Sequence, residues 1–241
     1  MSKKSGELLG EELNKAKGVI DKFLYGCSHS MRGPLKSIAG LVNLLQHQEA
    51  DAIRNPQQHL ELIQKTVDKM EALLNDLEQF LANSRKELII EPVILNAVIN
   101  EVLTRYAHEA EEKGIRFSKN ITQPIALYTD VERLNLVLLQ LVVNALVFSD
   151  AAKVDKYIDV TVRVNETGCH IKVLDNGIGI PKEVQQNIFQ LFYRGSQQSK
   201  GAGLGLYIVS EVLRKMGGSI TVNSEEGYGT SFFVWLPNLR A

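Results

Sequence analysis

The sequence has few of the features that mark specialised classes of protein. Only two of its 241 residues are cysteine, Cys27 and Cys169, and they lie far apart in different contexts. A disulfide framework is therefore not expected, and both side chains fit small core residues of a reduced, cytoplasmic protein. The longest apolar run, residues 134–148, is interrupted by three amide side chains and is too short to span a membrane. The polar N-terminus also lacks the pattern of a signal peptide.

The chain also lacks a strong net charge. Lys and Arg number 27 and Asp and Glu number 28, which gives a net charge of -1. This balance gives no general electrostatic reason to expect nucleic acid or an anionic membrane surface as a partner. Any anionic ligand must be bound by local groups.

Two common nucleotide-binding patterns are missing as well. There is no GxxxxGK[ST] sequence, which excludes a P-loop, and polar residues rather than a strand precede GAGLGL at 201–206, which argues against a Rossmann turn. A nucleotide site in this chain would be of another kind.

Apolar residues in the N-terminal third recur every three or four positions, which predicts two long helices. The first runs from before residue 20 to about residue 46. The second follows Asn55, a suitable N-cap, and Pro56, a suitable first helical residue. Two such helices with a short connection form an antiparallel hairpin, and a second copy of the chain would cover their apolar faces in a four-helix bundle.

After about residue 88 the pattern changes to a mixture of helices and strand pairs. The elements expected there are a helix at 95–113, a strand near 115–119, a helix at 131–148, strands at 158–164 and 169–175, a helix at 204–216, and strands at 219–224 and 230–237. This order predicts an α+β sandwich with helices on one face of a sheet. We therefore divide the chain into a helical linker at 1–19, a helical hairpin at 20–88 and the sandwich at 89–241.

Two glycine clusters could bring backbone N–H groups close to a ligand. They are DNGIGIP at 175–181 and GAGLGL at 201–206, and the second opens a helix, whose N-terminus favours phosphate. Glycines that only make turns explain either cluster alone equally well. Asp175, at the end of an alternating strand, can accept a hydrogen bond from an exocyclic amino group such as that of adenine, or can simply form a turn.

The stretch SHSMRGPL at 28–35 places Gly33 and Pro34 inside a predicted helix, where proline costs about 3 kcal/mol. His29 lies one turn earlier and two residues from Cys27, so its imidazole should point away from the apolar stripe. Pro34 leaves the Ser30 carbonyl without its usual helical partner, which would let the helix bend just beyond His29. A tolerated kink without a functional role is the alternative.

Taken in order, these segments resemble the sensor histidine kinases over about residues 20–237. SHSMRGPL is similar to their H box, and the similar N, G1, F, G2 and G3 boxes are Asn144, DNGIGIP, IFQLFYR at 188–194, GAGLGL and GYGTSF from residue 228. The resemblance implies a dimeric helical hairpin followed by a GHKL-type ATP-binding sandwich. It also implies that ATP with Mg²⁺ phosphorylates His29 and that an aspartate of a response regulator receiver domain then takes the group.

The same resemblance assigns roles in the adenine and phosphate regions. Asp175 would bind the adenine amino group, Gly177 and Gly179 would give the ring room, and Thr230 would close that side. Asn144 and Gln140 would hold Mg²⁺. The phosphate region would comprise Lys200, Gly201, Gly203, Leu204, Gly205 and a lid at 196–200, seated by Phe189 and Phe192, with Arg194 near the transferring phosphoryl group.

Four positions depart from the usual family pattern. Ser30 replaces the acidic residue after the histidine, and because it is a weaker proton acceptor we expect slower autophosphorylation. Gly33 cannot orient water as the usual Thr or Asn does, which argues against phosphatase activity. Gln140 replaces an asparagine and Val147 a lysine, so nucleotide affinity should be lower, with Lys200 as a possible substitute contact.

These residues are compatible with three functions. The first is a kinase core that dimerises through residues 20–88, receives its signal from an upstream sensor domain absent from this chain, and works in the cytoplasm, with membrane anchoring of a longer parent left open. The second is a nucleotide-binding, kinase-weak dimeric scaffold, which Ser30, Gln140 and Val147 favour. The third is a GHKL ATPase of the gyrase class, which the hairpin bearing His29 argues against.

Overall fold

The structure, a computed structural model, describes residues 2–47, 56–195 and 203–239. It divides into two compact units, residues 1–75 and 76–241. No helix in the described ranges combines the length and apolar content that a membrane span requires.

The first unit confirms the predicted helical hairpin. Helix α1 spans Ser2–His47, and helix α2 begins at Pro56 and ends at Arg85. The cap expected at Asn55 lies outside the described residues. Helix α1 continues through Pro34, and a Cβ added at Gly33 would meet nothing within 4 Å. Gly33 is exposed and Pro34 is half-buried, and neither residue interrupts the helix.

Apolar side chains remain exposed along both helices of the first unit. Leu24, Leu35 and Leu60 are 58%, 53% and 52% exposed, although all three belong to the apolar stripes that the sequence shows. Cys27 and Leu73 are buried. A single hairpin thus leaves much apolar surface in water, which is unfavourable by about 25 cal/mol per Å².

The second unit contains the end of α2 and a sheet covered by helices. Its further elements are β1 (Glu91–Val93), α3 (Leu95–Arg105), α4 (Ala107–Glu112), β2 (Ile115–Thr122), β3 (Leu127–Thr129), α5 (Val131–Val147), β4 (Lys156–Val164), β5 (Gly168–Asp175), α6 (Lys182–Gln185), α7 (Gly205–Lys215), β6 (Ser219–Glu225) and β7 (Gly229–Pro237). Five strands form one sheet in the order β2-β4-β5-β7-β6, in which only the β2–β4 pair is parallel. Strands β1 and β3 pair separately.

The alternation in β4 and β5 sets which face of the sheet is buried. Ile158, Val160 and Val162 on β4 are fully buried, as are Cys169 and Ile171 on β5. Helix α5 contacts α3 on one side and α7 on the other, and the three helices contact the sheet at β2, β5 and β6. The predicted α+β sandwich is therefore confirmed, and so is the burial of both cysteines.

Two predicted details differ from the structure. The helix expected at 95–113 is two helices, because Tyr106, with φ -108° and ψ 12°, leaves the helical conformation and ends α3. The Tyr106 carbonyl then accepts the Ala110 N–H at 2.9 Å and starts α4. Strands β1 and β3 were not predicted, because three residues are too few to show alternation.

The compact units meet inside α2, between Asn75 and Asp76. The last ten residues of this helix belong to the second unit, where Asn83 contacts Arg133. The domain boundary at 88/89 stays a prediction from the change in sequence pattern.

Candidate functional site

The turn after β5 holds a buried carboxylate. Asp175 is 6% exposed, and one of its oxygens accepts the Gly177 N–H at 2.8 Å. Burial raises the pKa of Asp175 to about 6, while backbone hydrogen bonds from Gly177 and Thr230 and the charge of Lys153 oppose that rise. The group thus carries its charge at neutral pH and lies at the end of a strand, beside Thr230 on β7.

Both glycines of this turn are required by close backbone contacts. A Cβ at Gly177 would lie 2.3 Å from the Phe148 carbonyl oxygen. Gly179 has φ +71°, and a Cβ there would lie 2.0 Å from the Glu225 carbonyl oxygen. Neither position can take a side chain without a shift of the backbone.

Lys153 stabilises this turn through hydrogen bonds to its backbone. The sequence did not predict it as a site residue. Its Nζ donates to the carbonyl oxygens of Asn176 at 2.7 Å, Gly177 at 3.1 Å and Tyr228 at 3.3 Å. Only the folded chain brings these three carbonyls together, so no local sequence pattern points to this lysine.

Ser224 joins the same turn to β7 and was also missed. Its hydroxyl oxygen accepts the Ile180 N–H at 2.8 Å, lies 2.9 Å from the Thr230 hydroxyl, and its O–H donates to the Gly229 carbonyl at 2.8 Å. Thr230 is thereby held beside Asp175.

Helix α5 connects the two glycine clusters. Gln140, Asn144 and Phe148 are spaced by four residues and lie along one side of the helix end. The Phe148 carbonyl accepts the Ile178 N–H at 3.0 Å, next to the first cluster. Gln140 Oε1 lies 2.6 Å from where a Cβ of Gly205 would be, next to the second.

Asn144 lies midway between these two contacts. Its Nδ2 is buried and has no hydrogen-bond partner among the described residues. A buried unpaired amide costs about 1–3 kcal/mol, which a ligand that pairs with it would offset. The site predicted for this residue therefore has an available polar group.

Gln140 has a different environment from Asn144. Its side-chain amide donates to the Asp76 carboxylate, which partly offsets the burial that raises the pKa of Asp76 to about 6. Within the part of the chain that the structure describes, no three His, Cys, Asp or Glu side chains form a metal site. A divalent ion here would need ligands from outside the protein, such as phosphate oxygens.

The second glycine cluster leads into α7 and contacts the F box, residues 188–194. The Phe192 N–H donates to the Gly203 carbonyl at 3.1 Å, and a Cβ at Gly203 would lie 2.5 Å from the Tyr193 carbonyl oxygen. Leu204 is buried and Gly205 is the first residue of α7. Lys200, Gly201 and the rest of the predicted lid at 196–200 lie outside the described residues.

The remaining predicted residues of this region lie around that junction. Phe189 packs edge-on against Phe232, with ring centroids 6.4 Å apart. Phe192 has φ +60°, an uncommon conformation for a large side chain. Arg194 is exposed and is followed by Gly195, after which the described range ends.

His29 lies in the first unit and is exposed, as the spacing from Cys27 predicted. Its ring stacks with that of Tyr25 at 6.3 Å between centroids. Ser30 is half-buried, and the Ser28 hydroxyl donates to the Leu24 carbonyl at 2.8 Å. Solvent and other molecules can therefore reach the imidazole.

Comparisons with known proteins match both halves of this arrangement. Residues 129–240 match the family "Histidine kinase-, DNA gyrase B-, and HSP90-like ATPase", and residues 20–82 match the family "His Kinase A (phospho-acceptor) domain". The signal transduction histidine-protein kinase BarA of Escherichia coli K12 is 29% identical over 94% of this chain and 26% of its own length. The chain spans between about a quarter and a half of the length of the curated relatives it matches.

Solved structures show the same fold. Full-length ShkA in complex with AMPPNP is 28% identical, with a TM-score of 0.64 over 89% of this chain and 45% of that chain. Histidine kinase ThkA in complex with the response regulator protein TrrA has a TM-score of 0.74 over 93% of this chain and 64% of that chain, at 21% identity, and so shows the fold alone. A phospho-acceptor hairpin followed by an ATPase sandwich, in this order and in one chain, means that the protein belongs to the sensor histidine kinases.

Proposed function

We propose that this chain is a histidine kinase core. ATP bound in the second unit phosphorylates His29, and an aspartate of a response regulator then receives the phosphoryl group. The hairpin at 20–88 carries dimerisation and phosphate acceptance, and residues 89–241 bind the nucleotide.

One observation carries this proposal. Asn144, with a buried and unpaired amide, lies on α5 between Phe148, which contacts the first glycine cluster, and Gln140, which contacts the second. A nucleotide whose adenine meets Asp175 and whose phosphates meet the start of α7 extends past Asn144. The unpaired Nδ2 of Asn144 would donate to a phosphate oxygen, and its Oδ1 would help to hold the Mg²⁺ that neutralises the phosphate charge.

The two ends of that nucleotide meet different chemistry. Asp175 provides a charged acceptor for the adenine amino group. Because the carboxylate is buried, water competes little for it and the hydrogen bond to adenine is strengthened. The backbone N–H groups at the start of α7, from Gly203 through Gly205, favour the phosphates through the partial positive charge of a helix N-terminus. Gln140, held by Asp76, supports Gly205 more directly than it supports an ion.

In the proposed reaction, His29 is the nucleophile. A ring nitrogen forms a bond to the terminal phosphorus, the bond from that phosphorus to the bridging oxygen breaks, and ADP leaves. The proton on the other ring nitrogen passes to an acceptor. Ser30 accepts it less well than a carboxylate does, so the rate is lower than with an acidic residue at this position. Arg194 and Lys200 supply positive charge near the phosphates.

The proposal includes partners. The exposed leucines of α1 and α2 are covered by a second copy of the chain. A receiver domain docks on the hairpin to reach His29, and the structurally similar ThkA is known in complex with a response regulator protein, TrrA. The input comes from a sensor domain outside this chain. Because the reaction uses cytoplasmic ATP, we place this core in the cytoplasm, whether or not a longer parent protein is anchored in a membrane.

Incubation with ATP labelled at the terminal phosphate, with and without Mg²⁺, tests the proposal. Label on the protein that is acid-labile and base-stable, and that disappears in His29→Ala, is the expected result. His170→Ala, which removes an exposed histidine of β5, is the matched control and keeps the label. Steady phosphate release without labelled protein would indicate an ATPase instead.

A second candidate is a nucleotide-binding scaffold with weak kinase activity. Ser30 beside His29 favours it, together with the Gln140 amide that contacts Asp76 rather than facing a ligand. Bound nucleotide without any label on His29 would select this alternative.

A further inference from the structure

The C-terminal end of α2 is held by a buried arginine of the second unit. Arg133 on α5 is 6% exposed. Its Nε donates to Asn83 Oδ1 at 2.7 Å, and its terminal nitrogens donate to the carbonyl oxygens of Lys86 at 2.7 Å, Glu87 at 3.2 Å and Asn83 at 3.3 Å. Arg133 also pairs with Asp130, the N-cap of its own helix. Four of the five guanidinium hydrogen bonds thereby go to the end of α2 and the two residues after it, and the fifth goes to Asp130.

These hydrogen bonds satisfy the carbonyl groups at the C-terminal end of α2. The last carbonyl groups of a helix have no partner within the helix, and they carry a partial negative charge that attracts cations. Lys215, at the end of α7, also donates to the carbonyls of Asn83 and Lys86. Two cations from two different helices of the second unit therefore cap one helix that begins in the first unit.

The contact continues along one side of α2. Phe80 lies one turn before Asn83, and its ring is 5.8 Å from that of Tyr207 on α7. Asp76, a further turn back, accepts a hydrogen bond from Gln140 on α5. Of these two helices, α5 carries Asn144, and α7 begins at the second glycine cluster.

Asn83 is the distinctive member of this group. It is a buried polar side chain, and it gives the Nε of Arg133 its only acceptor among the described residues. Without that acceptor a buried charged donor is left unpaired, which is among the more costly losses in a protein interior. The other contacts of Arg133 go to backbone carbonyls, which any residue at those positions would offer.

We propose that Asn83 is a positioning residue for phosphoryl transfer, because it locks the end of α2 onto Arg133 and so keeps the connection to the nucleotide-binding unit short and stiff. This inference rests on the proposed function. A locked connection restricts the orientations in which bound ATP can meet His29. The effective concentration of ATP at the His29 imidazole is therefore higher. When the last turn of α2 unwinds, the connection gains flexible residues and that concentration falls.

The test uses the full chain with Asn83→Leu, which keeps the side-chain size but offers no acceptor. Three quantities are measured: cleavage by trypsin after Arg85 and Lys86, the initial rate of His29 labelling at saturating ATP and Mg²⁺, and the affinity for AMPPNP. We expect cleavage about tenfold faster and labelling about tenfold slower, with AMPPNP affinity changed by less than about twofold.

Two further variants make the result specific. Asn83→Asp keeps an oxygen that can accept from Arg133, so its trypsin cleavage rate and its His29 labelling rate should be close to those of wild type. Asn75→Ala, at an exposed position of the same helix, is the control and should change neither the cleavage rate nor the labelling rate. If Asn83→Leu does not fold, Asn83→Ser, whose hydroxyl is too short to reach the guanidinium, gives the same comparison.

The outcomes separate this inference from the proposed function. Wild-type protein that is labelled on His29, together with an Asn83→Leu variant that is labelled equally fast, overturns the inference and leaves the kinase intact. Slower labelling with an equal loss of AMPPNP affinity also overturns it, since that result indicates a general structural role. Wild-type protein without label rejects both, whatever the cleavage shows.

Discussion

The carbonyl oxygen of Phe148 accepts the N–H of Ile178 at 3.0 Å, so the end of α5 is joined to the turn that follows Asp175. This bond links the helix that carries Asn144 to the strand end that carries the buried carboxylate. Gly177 lies beside it and has no room for a Cβ. The portions of the candidate site that carry Asp175 and Asn144 are therefore joined through the backbone.

Asp175→Asn should stabilise the protein while weakening its binding of ATP. The folded-state pKa of about 6 lies above the ordinary value of 3.8, so the folded state binds a proton more tightly than the unfolded state between these values. The free energy of unfolding therefore falls as pH rises through this window and stays lower above it. Removing the charge should raise it by about 2 kcal/mol at pH 8.

Urea unfolding of wild type and variant between pH 4 and pH 8 measures this difference. Asp68→Asn, at an exposed carboxylate of α2, is the control. ATP affinity should fall at least about tenfold in Asp175→Asn, because the acceptor for the amino group changes. A variant that is less stable than wild type at pH 8 would contradict the account of burial.

Asn144→Leu should separate stability from activity in the same way. The unpaired Nδ2 of Asn144 is buried, so an apolar side chain of similar size should leave the free energy of unfolding unchanged or raise it by about 1 kcal/mol. Labelling of His29 should be lost, since the carboxamide no longer supports the ion. Thermal unfolding and the labelling assay test both parts, and retained labelling at millimolar Mg²⁺ would exclude the assigned role.

Gly179→Ala and Gly227→Ala form a matched pair. Both glycines have a positive φ, +71° and +83°, but a Cβ at Gly179 meets the Glu225 carbonyl at 2.0 Å whereas one at Gly227 meets nothing within 4 Å. Gly227→Ala should cost about 1 kcal/mol of unfolding free energy, for the backbone conformation alone. Gly179→Ala should cost at least about 2 kcal/mol more, since the backbone must also move. Equal losses in chemical unfolding would argue against this contact.

Ser30→Glu should speed autophosphorylation. A carboxylate next to His29 accepts the imidazole proton better than a hydroxyl does, and general base assistance contributes about 100-fold or more in favourable cases. Because Ser30 is only half-buried, the longer side chain has room at the helix surface. The initial rate of labelling at saturating ATP is the measurement, with Ser30→Gln as the uncharged control. No gain over wild type would mean that proton removal does not limit the rate.

The sequence predicted those parts of the fold that local periodicity determines. Strands β4 and β5 bury every second residue, from Ile158 to Val173, and such alternation identifies both the strands and their inner face. The end of α3 at Tyr106 could not be predicted, because the residues on both sides of it have helical spacing and the break depends on one backbone conformation.

For the candidate site, the residues with a local signature were found and those defined by distant contacts were missed. Asp175, Gly177 and Gly179 lie in one recognisable turn. Lys153 reaches the Tyr228 carbonyl across 75 residues of sequence, and Ser224 meets the Ile180 N–H across 44. Contacts at that separation follow from sheet order, which propensity and spacing do not contain.

The position of β7 has a consequence for synthesis of the protein. This strand follows every other strand in chain order, yet it lies inside the sheet between β5 and β6 and brings Thr230 beside Asp175. While the ribosome has yet to release residues 229–237, β5 has an open edge and Asp175 lacks its neighbour Thr230. A nascent chain therefore lacks a complete site, and its exposed β5 edge can pair with a neighbouring strand until β7 closes the sheet.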